Sequence, residues 1–207
     1  MRLYDHPASA NGYKVRLALA QTEQQCEVID VDIFSGGSRT PQFMEKNPAG
    51  RVPVLELSSG ETLPESNAIV WYLAEGHALL PADRWSRAQV IRWMSFEQYE
   101  IEPQLGSARF WMLTGKTKGR EAQLDDKLAW SRRTLTVLER YLANRTWFVG
   151  DHYSIADLTI YAYTHLAPDA GVALEPFPSL RRWIARVEDT PRFFPGPTVY
   201  PPSARSG

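Results

Sequence analysis

The sequence is short of the residues that staple or metallate small proteins. Its 207 residues hold one cysteine, Cys26, which excludes an internal disulfide, a CxxC redox pair and a multi-cysteine metal site, and suits a reducing compartment. The four histidines, His6, His77, His152 and His165, are scattered without ligand spacing, so no metal is expected. No apolar run approaches the roughly 18 residues of a membrane-spanning helix. The start "MRLYDHPASA" lacks the apolar stretch of an export signal, and the expectation is a cytoplasmic protein with no membrane partner. Charge of one sign is also missing. With 23 Lys and Arg against 24 Asp and Glu, the net charge is −1, and nothing predicts a nucleic-acid-binding face.

What is present is ordinary for a folded chain: 43% hydrophobic and 23% charged residues. The length allows one large domain or two small ones. The first part alternates between two periods. "RLYD" (2–5), "EVIDVDI" (27–33), "VPVLEL" (52–57) and a short run after "SSGETL" read as strands. Residues 12–22, "TPQFMEKN" and "ESNAIVWYLAEG" (65–76) read as helices, the second with Thr40 as N-cap and Pro41 at its first position, the third ending at Gly76. The order is strand, helix, strand, helix, strand, strand, helix, which must bury a sheet under helices. "HALLPADRW" follows, and 78–85 reads as a linker. Beyond it strand signals vanish. A long helix begins at "SRAQVIRW", with a kink expected at Pro103. Leu124, Leu128, Leu135, Leu138 and Leu142 recur close to a 3.6 period. Residues 154–167 form an almost wholly apolar helix and 178–190 an amphipathic one, before an irregular proline-rich tail. The expected domains are therefore an α/β unit at 1–77 and an all-helical unit at 86–207.

Three stretches can carry chemistry. Val52-Pro53 opens a strand, where proline is either a cis residue that turns the Val52 N–H and C=O outward or a trans residue that merely begins the strand. Glu65-Ser66 stands where a strand ends and a helix begins. Free N–H groups there attract a carboxylate, Ser66 adds a hydroxyl and Glu65 can pair with an ammonium group, so an α-amino acid head would fit. The alternative is that the two residues only cap the helix. "HPASANGYKV" (6–15) is a strand-to-helix turn carrying Ser9, Asn11 and Tyr13, any of which could meet an anion.

Taken together, "NPAGRVPVLEL" and "GETLPESNAIVWYLAE" closely resemble the glutathione-binding half of the cytosolic glutathione transferases. The family has a thioredoxin-like first domain of βαβαββα order and a helical second domain, so the resemblance spans nearly the whole chain. "GDHYSIADLTIYAY" (150–163) supports it separately. It resembles the family's buried capping motif, in which Ser154 would cap a helix and Asp157 would reach back to the Ser154 N–H.

The resemblance implies glutathione as co-substrate. Glu65 and Ser66 would hold its γ-glutamyl head, the Val52 backbone before a cis Pro53 its cysteinyl peptide, and Arg51 and Arg39 its glycine carboxylate; Asn47-Pro48 would shape the turn. A thiol of pKa about 8.5 is mostly protonated at neutral pH, so the enzyme must stabilise the thiolate. Tyr13 lies further into the helical run than the catalytic tyrosine of tyrosine-using classes, and Tyr4, at the strand end, would pack. "SANGYKV" resembles the nu-type turn, a hydroxyl residue followed by "NGHK", and Ser9 lies close to the serine of the theta- and zeta-like classes. Ser9 and Asn11 are the implied sulfur contacts, Ser9 first, with Asn11 alternatively a helix cap. Cys26 lies outside the turn. A second substrate, a small hydrophobic electrophile, would lie between the domains against Phe96, Tyr99, Arg109, Phe110 and Trp111. A homodimer is implied. Two further readings compete with the transferase: a glutathione-dependent disulfide reductase or peroxidase, and a non-catalytic binding protein on the same fold.

Overall fold

The computed structural model describes residues 1–205, and the chain divides into two units. The first comprises Met1–His77 together with Pro191–Val199; the second comprises Ala78–Thr190 and the chain from Tyr200 on. The change at 77/78 falls where the apolar periodicity changes. The tail does not follow the expected 86–207 range, because residues 191–199 return to the first unit.

In the first unit, β1 (Arg2–Asp5), α1 (Ala10–Gln21), β2 (Glu27–Asp30), α2 (Pro41–Lys46), β3 (Val54–Glu56), β4 (Thr62–Pro64) and α3 (Ser66–Ala74) follow the expected order. The sheet runs β2-β1-β3-β4. β1 pairs parallel with β2, Leu3 opposite Val28, and antiparallel with β3, Leu3 opposite Leu55. Parallel pairing of consecutive strands needs a crossover, and α1 supplies it. Leu3, Leu17, Leu55 and Ile69 are wholly buried and join the sheet to α1 and α3. Thr40 caps α2 as predicted, its Oγ1 accepting the Phe43 N–H at 3.3 Å, with Pro41 at the first position. β2 and β3 are shorter than their apolar runs. Val31 and Val52 pack beyond the ladder on the Phe43 cluster, so burial rather than pairing explains their character.

In the second unit, α4 (Arg84–Phe96), a ten-residue π-helical segment (Glu97–Gly106) and α5 (Ser107–Leu113) follow one another without a break, and α6 (Glu121–Leu142), α7 (Ile155–Thr164) and α8 (Pro178–Glu188) complete the unit. Asp83 Oδ1 accepts the Ser86 N–H at 2.9 Å, so α4 starts inside the expected linker. Pro103 lies within the wide π turns, the irregularity its missing N–H predicts. Trp93 is 1% exposed, with the rings of Tyr141 and Phe148 each 4.6 Å away. No helix among the described residues is long and apolar enough to cross a membrane.

The expected capping motif is present in full. Ser154 Oγ accepts the Ala156 N–H at 3.3 Å, and Asp157 Oδ2 accepts the Ser154 N–H at 3.1 Å. Asp157 Oδ1 also takes the Phe148 N–H at 3.0 Å and the Trp183 indole N–H at 2.9 Å. One buried carboxylate thus joins α7, α8 and the 148 loop. Burial pushes its pKa up to about 6, while these donors pull it back. Asp157→Ala would leave three buried N–H donors unmatched, at ~1–3 kcal/mol each before relaxation. We expect a loss of at least about 3 kcal/mol in urea-induced unfolding, and a loss below about 1 kcal/mol would contradict this role.

Candidate active site

The turn after β1 and the turn before α3 meet. Ser66 Oγ donates to Asn11 Oδ1 at 3.1 Å. Ser66 is the first residue of α3 and Asn11 the second of α1, so two helix N-termini, each with unsatisfied N–H groups and a partial positive charge, open at one place. An anion would be stabilised there by both.

Each side chain of the first turn has a distinct task. Ser9, not Asn11, caps α1, its Oγ accepting the Gly12 N–H at 3.0 Å. The helix begins two residues earlier than its apolar period suggested, which moves Asn11 inside it and removes the capping alternative for that residue. Ser9 accepts with a lone pair, so capping leaves its O–H proton to give elsewhere. Tyr13 is wholly buried, and its hydroxyl donates to the Phe194 carbonyl at 2.7 Å, with the Phe194 ring edge-on at 5.6 Å. A methyl group at Gly196 would stand 2.7 Å from the Tyr13 ring, so the returning tail passes close over it. Tyr13 is turned to the tail. Tyr4 packs as expected, edge-on to Phe43 at 6.3 Å with its hydroxyl donating to Glu56 Oε2 at 2.6 Å.

Asp5, 1% exposed, ends β1 and pairs with Arg16 of α1. Its carboxyl lies against Gly12, where any added methyl group would overlap it, so only glycine allows the turn to close here. Burial pushes the Asp5 pKa up to about 6 despite the Arg16 charge.

On the second turn, Glu65 has φ 73° and ψ 110°, beyond even the left-handed well. Such a backbone in a non-glycine residue costs on the order of 1–3 kcal/mol, and strain of this kind concentrates where a ligand is held. The Glu65 side chain is exposed. Val52-Pro53 is cis, and β3 pairing begins at Val54, so Val52 lies outside the ladder. Asn47 shapes the preceding turn: its Nδ2 donates to the Arg51 carbonyl at 2.8 Å and its Oδ1 accepts the Ala49 N–H at 3.1 Å. Arg39 Nη1 donates to the Ala49 carbonyl at 3.0 Å, which ties it to that turn, while the Arg51 side chain is exposed.

The five residues expected against the second substrate do not share one environment within the helical unit. Phe96 lies edge-on to Trp93 at 5.3 Å, and Tyr99 is 73% exposed. Arg109 is 3% exposed and pairs with Asp169 at 2.9 Å; its guanidinium stands 5.4 Å from the Tyr200 ring, which Phe110 meets edge-on at 5.5 Å. Trp111 has Lys127 over it at 5.4 Å and Arg120 at 5.2 Å. Tyr200 sits in a proline-rich tail without period, so nothing local in the sequence marks its contacts with Arg109 and Phe110. Cys26 is half-buried in the loop before β2, and burial raises its pKa, so it is held as a thiol. No group of three or more His, Cys, Asp and Glu side chains able to hold a metal occurs among the described residues.

The N-terminal domain pattern of glutathione S-transferases matches residues 1–75, and their C-terminal domain pattern matches residues 99–191. The chain belongs to the glutathione S-transferase family. It is 32% identical over 198 residues to the glutathione S-transferase-like protein LUC7 of Fusarium, covering 91% of this chain and 89% of that one. It is 31% identical to maleylacetoacetate isomerase of Pseudomonas aeruginosa, covering 88% of each. A third relative, human elongation factor 1-gamma, is 30% identical over 92% of this chain but only 45% of its own length. Among solved structures, a glutathione S-transferase from Pseudomonas fluorescens superimposes with a TM-score of 0.91 at 39% identity, covering 94% of this chain and 97% of that one. A glutathione transferase from Burkholderia graminis, solved with two glutathione molecules per subunit, gives 0.83 at 32% identity, covering 92% and 84%.

The Asp5 carboxyl yields a pH prediction. Its folded pKa of about 6 lies above its ordinary 3.8, so its contribution to stability is fully present below pH 3.8 and is lost as pH rises through 6. The loss is roughly 3 kcal/mol. Asp5→Asn removes the titration, so the stability of this variant relative to wild type should improve by that order between pH 4 and 7 in urea unfolding. A constant difference across the range would mean that Asp5 is ionised throughout.

Proposed function

We propose that this protein is a glutathione transferase that stabilises the glutathione thiolate for attack on a small hydrophobic electrophile. The observation that supports it most is the meeting of two helix N-termini through the 3.1 Å Ser66–Asn11 hydrogen bond, beside the strained Glu65. In this reading the N–H groups that open α3 at Ser66 take the γ-glutamyl carboxylate, and the Glu65 carboxylate takes its ammonium. The Val52 backbone pairs with the cysteinyl peptide. Arg51 faces the glycine carboxylate, with Arg39 bracing the turn behind it. The sulfur then lies at the α1 turn, within reach of the Ser9 hydroxyl and the Asn11 amide.

The energy required is modest. Lowering the thiol pKa by two units corresponds to about 2.7 kcal/mol. One or two hydrogen bonds to a charged sulfur supply ~1.5–3 kcal/mol each, and the helix termini add to them. The electrophile is assigned to the aromatic residues of the helical unit, Phe96, Tyr99, Phe110 and Trp111, with Arg109 beside them. Location in the cytoplasm and assembly as a homodimer belong to the same reading; sedimentation velocity tests the latter.

The "NGYK" turn and its Asn11 amide favour a second reading, a glutathione-dependent disulfide reductase or peroxidase. The elongation factor among the relatives keeps a third, non-catalytic reading in view. Isothermal titration with glutathione, followed by assays on a chloro-dinitro-aromatic and on hydroxyethyl disulfide, separates them. We expect binding and turnover of the aromatic. Binding with disulfide turnover alone selects the second reading, and no binding at millimolar glutathione selects the third.

For the sulfur contact, Ser9→Ala should lower kcat/KM by roughly 10- to 100-fold, the value of one charged hydrogen bond, together with about 1 kcal/mol of lost capping. Tyr13→Phe should change stability through its lost bond to Phe194 while leaving kcat/KM within about twofold. Equal losses in the two variants would reject Ser9 as the main donor.

A further inference from the structure

Lys14 is the one lysine among the wholly buried side chains of the described residues, and the catalytic reading above does not use it. It lies on the core face of α1, four residues after Ala10 and four before Ala18, among apolar neighbours. Its Nζ is 3.5 Å from Ser66 Oγ and 3.4 Å from Asn67 Oδ1. Ser66 Oγ in turn is 3.1 Å from Asn11 Oδ1. The three side chains form a line from the core to the turn that carries Ser9.

The direction of the protons along that line follows from the groups themselves. Lys14 Nζ donates to Ser66 Oγ, so the serine oxygen is the acceptor of that bond. Serine has one proton, and it goes to Asn11 Oδ1. The oxygen end of the Asn11 amide is thereby pinned, and the Nδ2 end, with two N–H donors, is turned away from Ser66. An amide held in this sense offers hydrogen-bond donors to a sulfur, which favours thiolate over thiol. Were Ser66 to turn its proton elsewhere, the amide could reverse and offer its oxygen, which favours the protonated S–H.

We propose that Lys14 is a positioning residue that fixes the orientation of the Asn11 amide through Ser66 and so biases bound glutathione toward its thiolate. The inference rests on the glutathione-binding reading and goes beyond it by naming what sets the polarity of the turn. Donation from Lys14 also polarises the Ser66 hydroxyl, strengthening the next bond in the line.

The test is the pKa of glutathione bound at saturation, read from thiolate absorbance near 240 nm across pH 5–9. Lys14→Met keeps length and apolar packing while removing the donor. It should raise the bound thiol pKa by at least one unit, a tenfold loss of thiolate on the acid side of the titration, with the circular dichroism of the folded protein retained. Lys14→Arg should restore at least half of the shift. In a Ser66→Ala background, Lys14→Met should add no further shift, because the line is already broken. A lysine that only fills the core would lower the unfolding midpoint and leave the thiol pKa unchanged, and that result overturns the proposal. If Lys14→Met does not fold, Lys14→Leu decides on the same readout: a bound thiol pKa equal to wild type overturns the proposal, and a rise supports it. Absence of glutathione binding by the wild-type protein instead overturns the underlying reading, a failure distinct from binding with an unmoved pKa.

Discussion

The hydrogen bond from Ser66 to Asn11 is the constraint on which the first unit turns. It joins two places that electrostatics would keep apart. Each helix N-terminus carries a partial positive charge of about half a unit. Like charges gathered at one point raise the energy of the empty fold. Fully buried contacts below them, Leu3, Leu17, Leu55 and Ile69, offset that cost and hold the helices where repulsion would part them. An anion set between the two termini would relieve that repulsion.

Most of the scaffold is readable from residue order. Thr40-Pro41 announces α2, and Ser154 with Asp157 announces α7, because caps are local and their chemistry depends on few neighbours. The start of α1 was not legible to two residues, since Ala10 and Asn11 have no apolar period to mark them, and the cap role passed to Ser9 with that shift. Strand ends were overextended for a related reason: Val31 and Val52 are apolar for the Phe43 cluster, not for pairing. The site divides in the same way. Glu65, Ser66 and the Val52-Pro53 step are marked by their neighbours in sequence. The burial of Lys14 and the tail contact of Tyr13 depend on residues 52 and 181 positions away, and no local pattern encodes such distances.

The turn after β1 also shows how a fold assigns similar side chains to different work. Ser9, Tyr13 and Ser66 all carry hydroxyls within one small region. Ser9 spends a lone pair on its helix and keeps its proton. Tyr13 spends its proton on the Phe194 carbonyl. Ser66 spends its proton on Asn11. Reactivity here is set by which half of each hydroxyl the scaffold has already used.

The return of residues 191–199 to the first unit has a bearing on how the protein comes into being. A ribosome delivers the strands and helices of that unit before α4 to α8, yet the Phe194 carbonyl that takes the Tyr13 hydroxyl, and the Thr198 N–H that donates to the Pro7 carbonyl at 3.2 Å, come after them. The segment that packs on the turn after β1 is therefore added only after the helices α4 to α8 have been synthesised. The first unit is therefore complete only once α4 to α8 have been made.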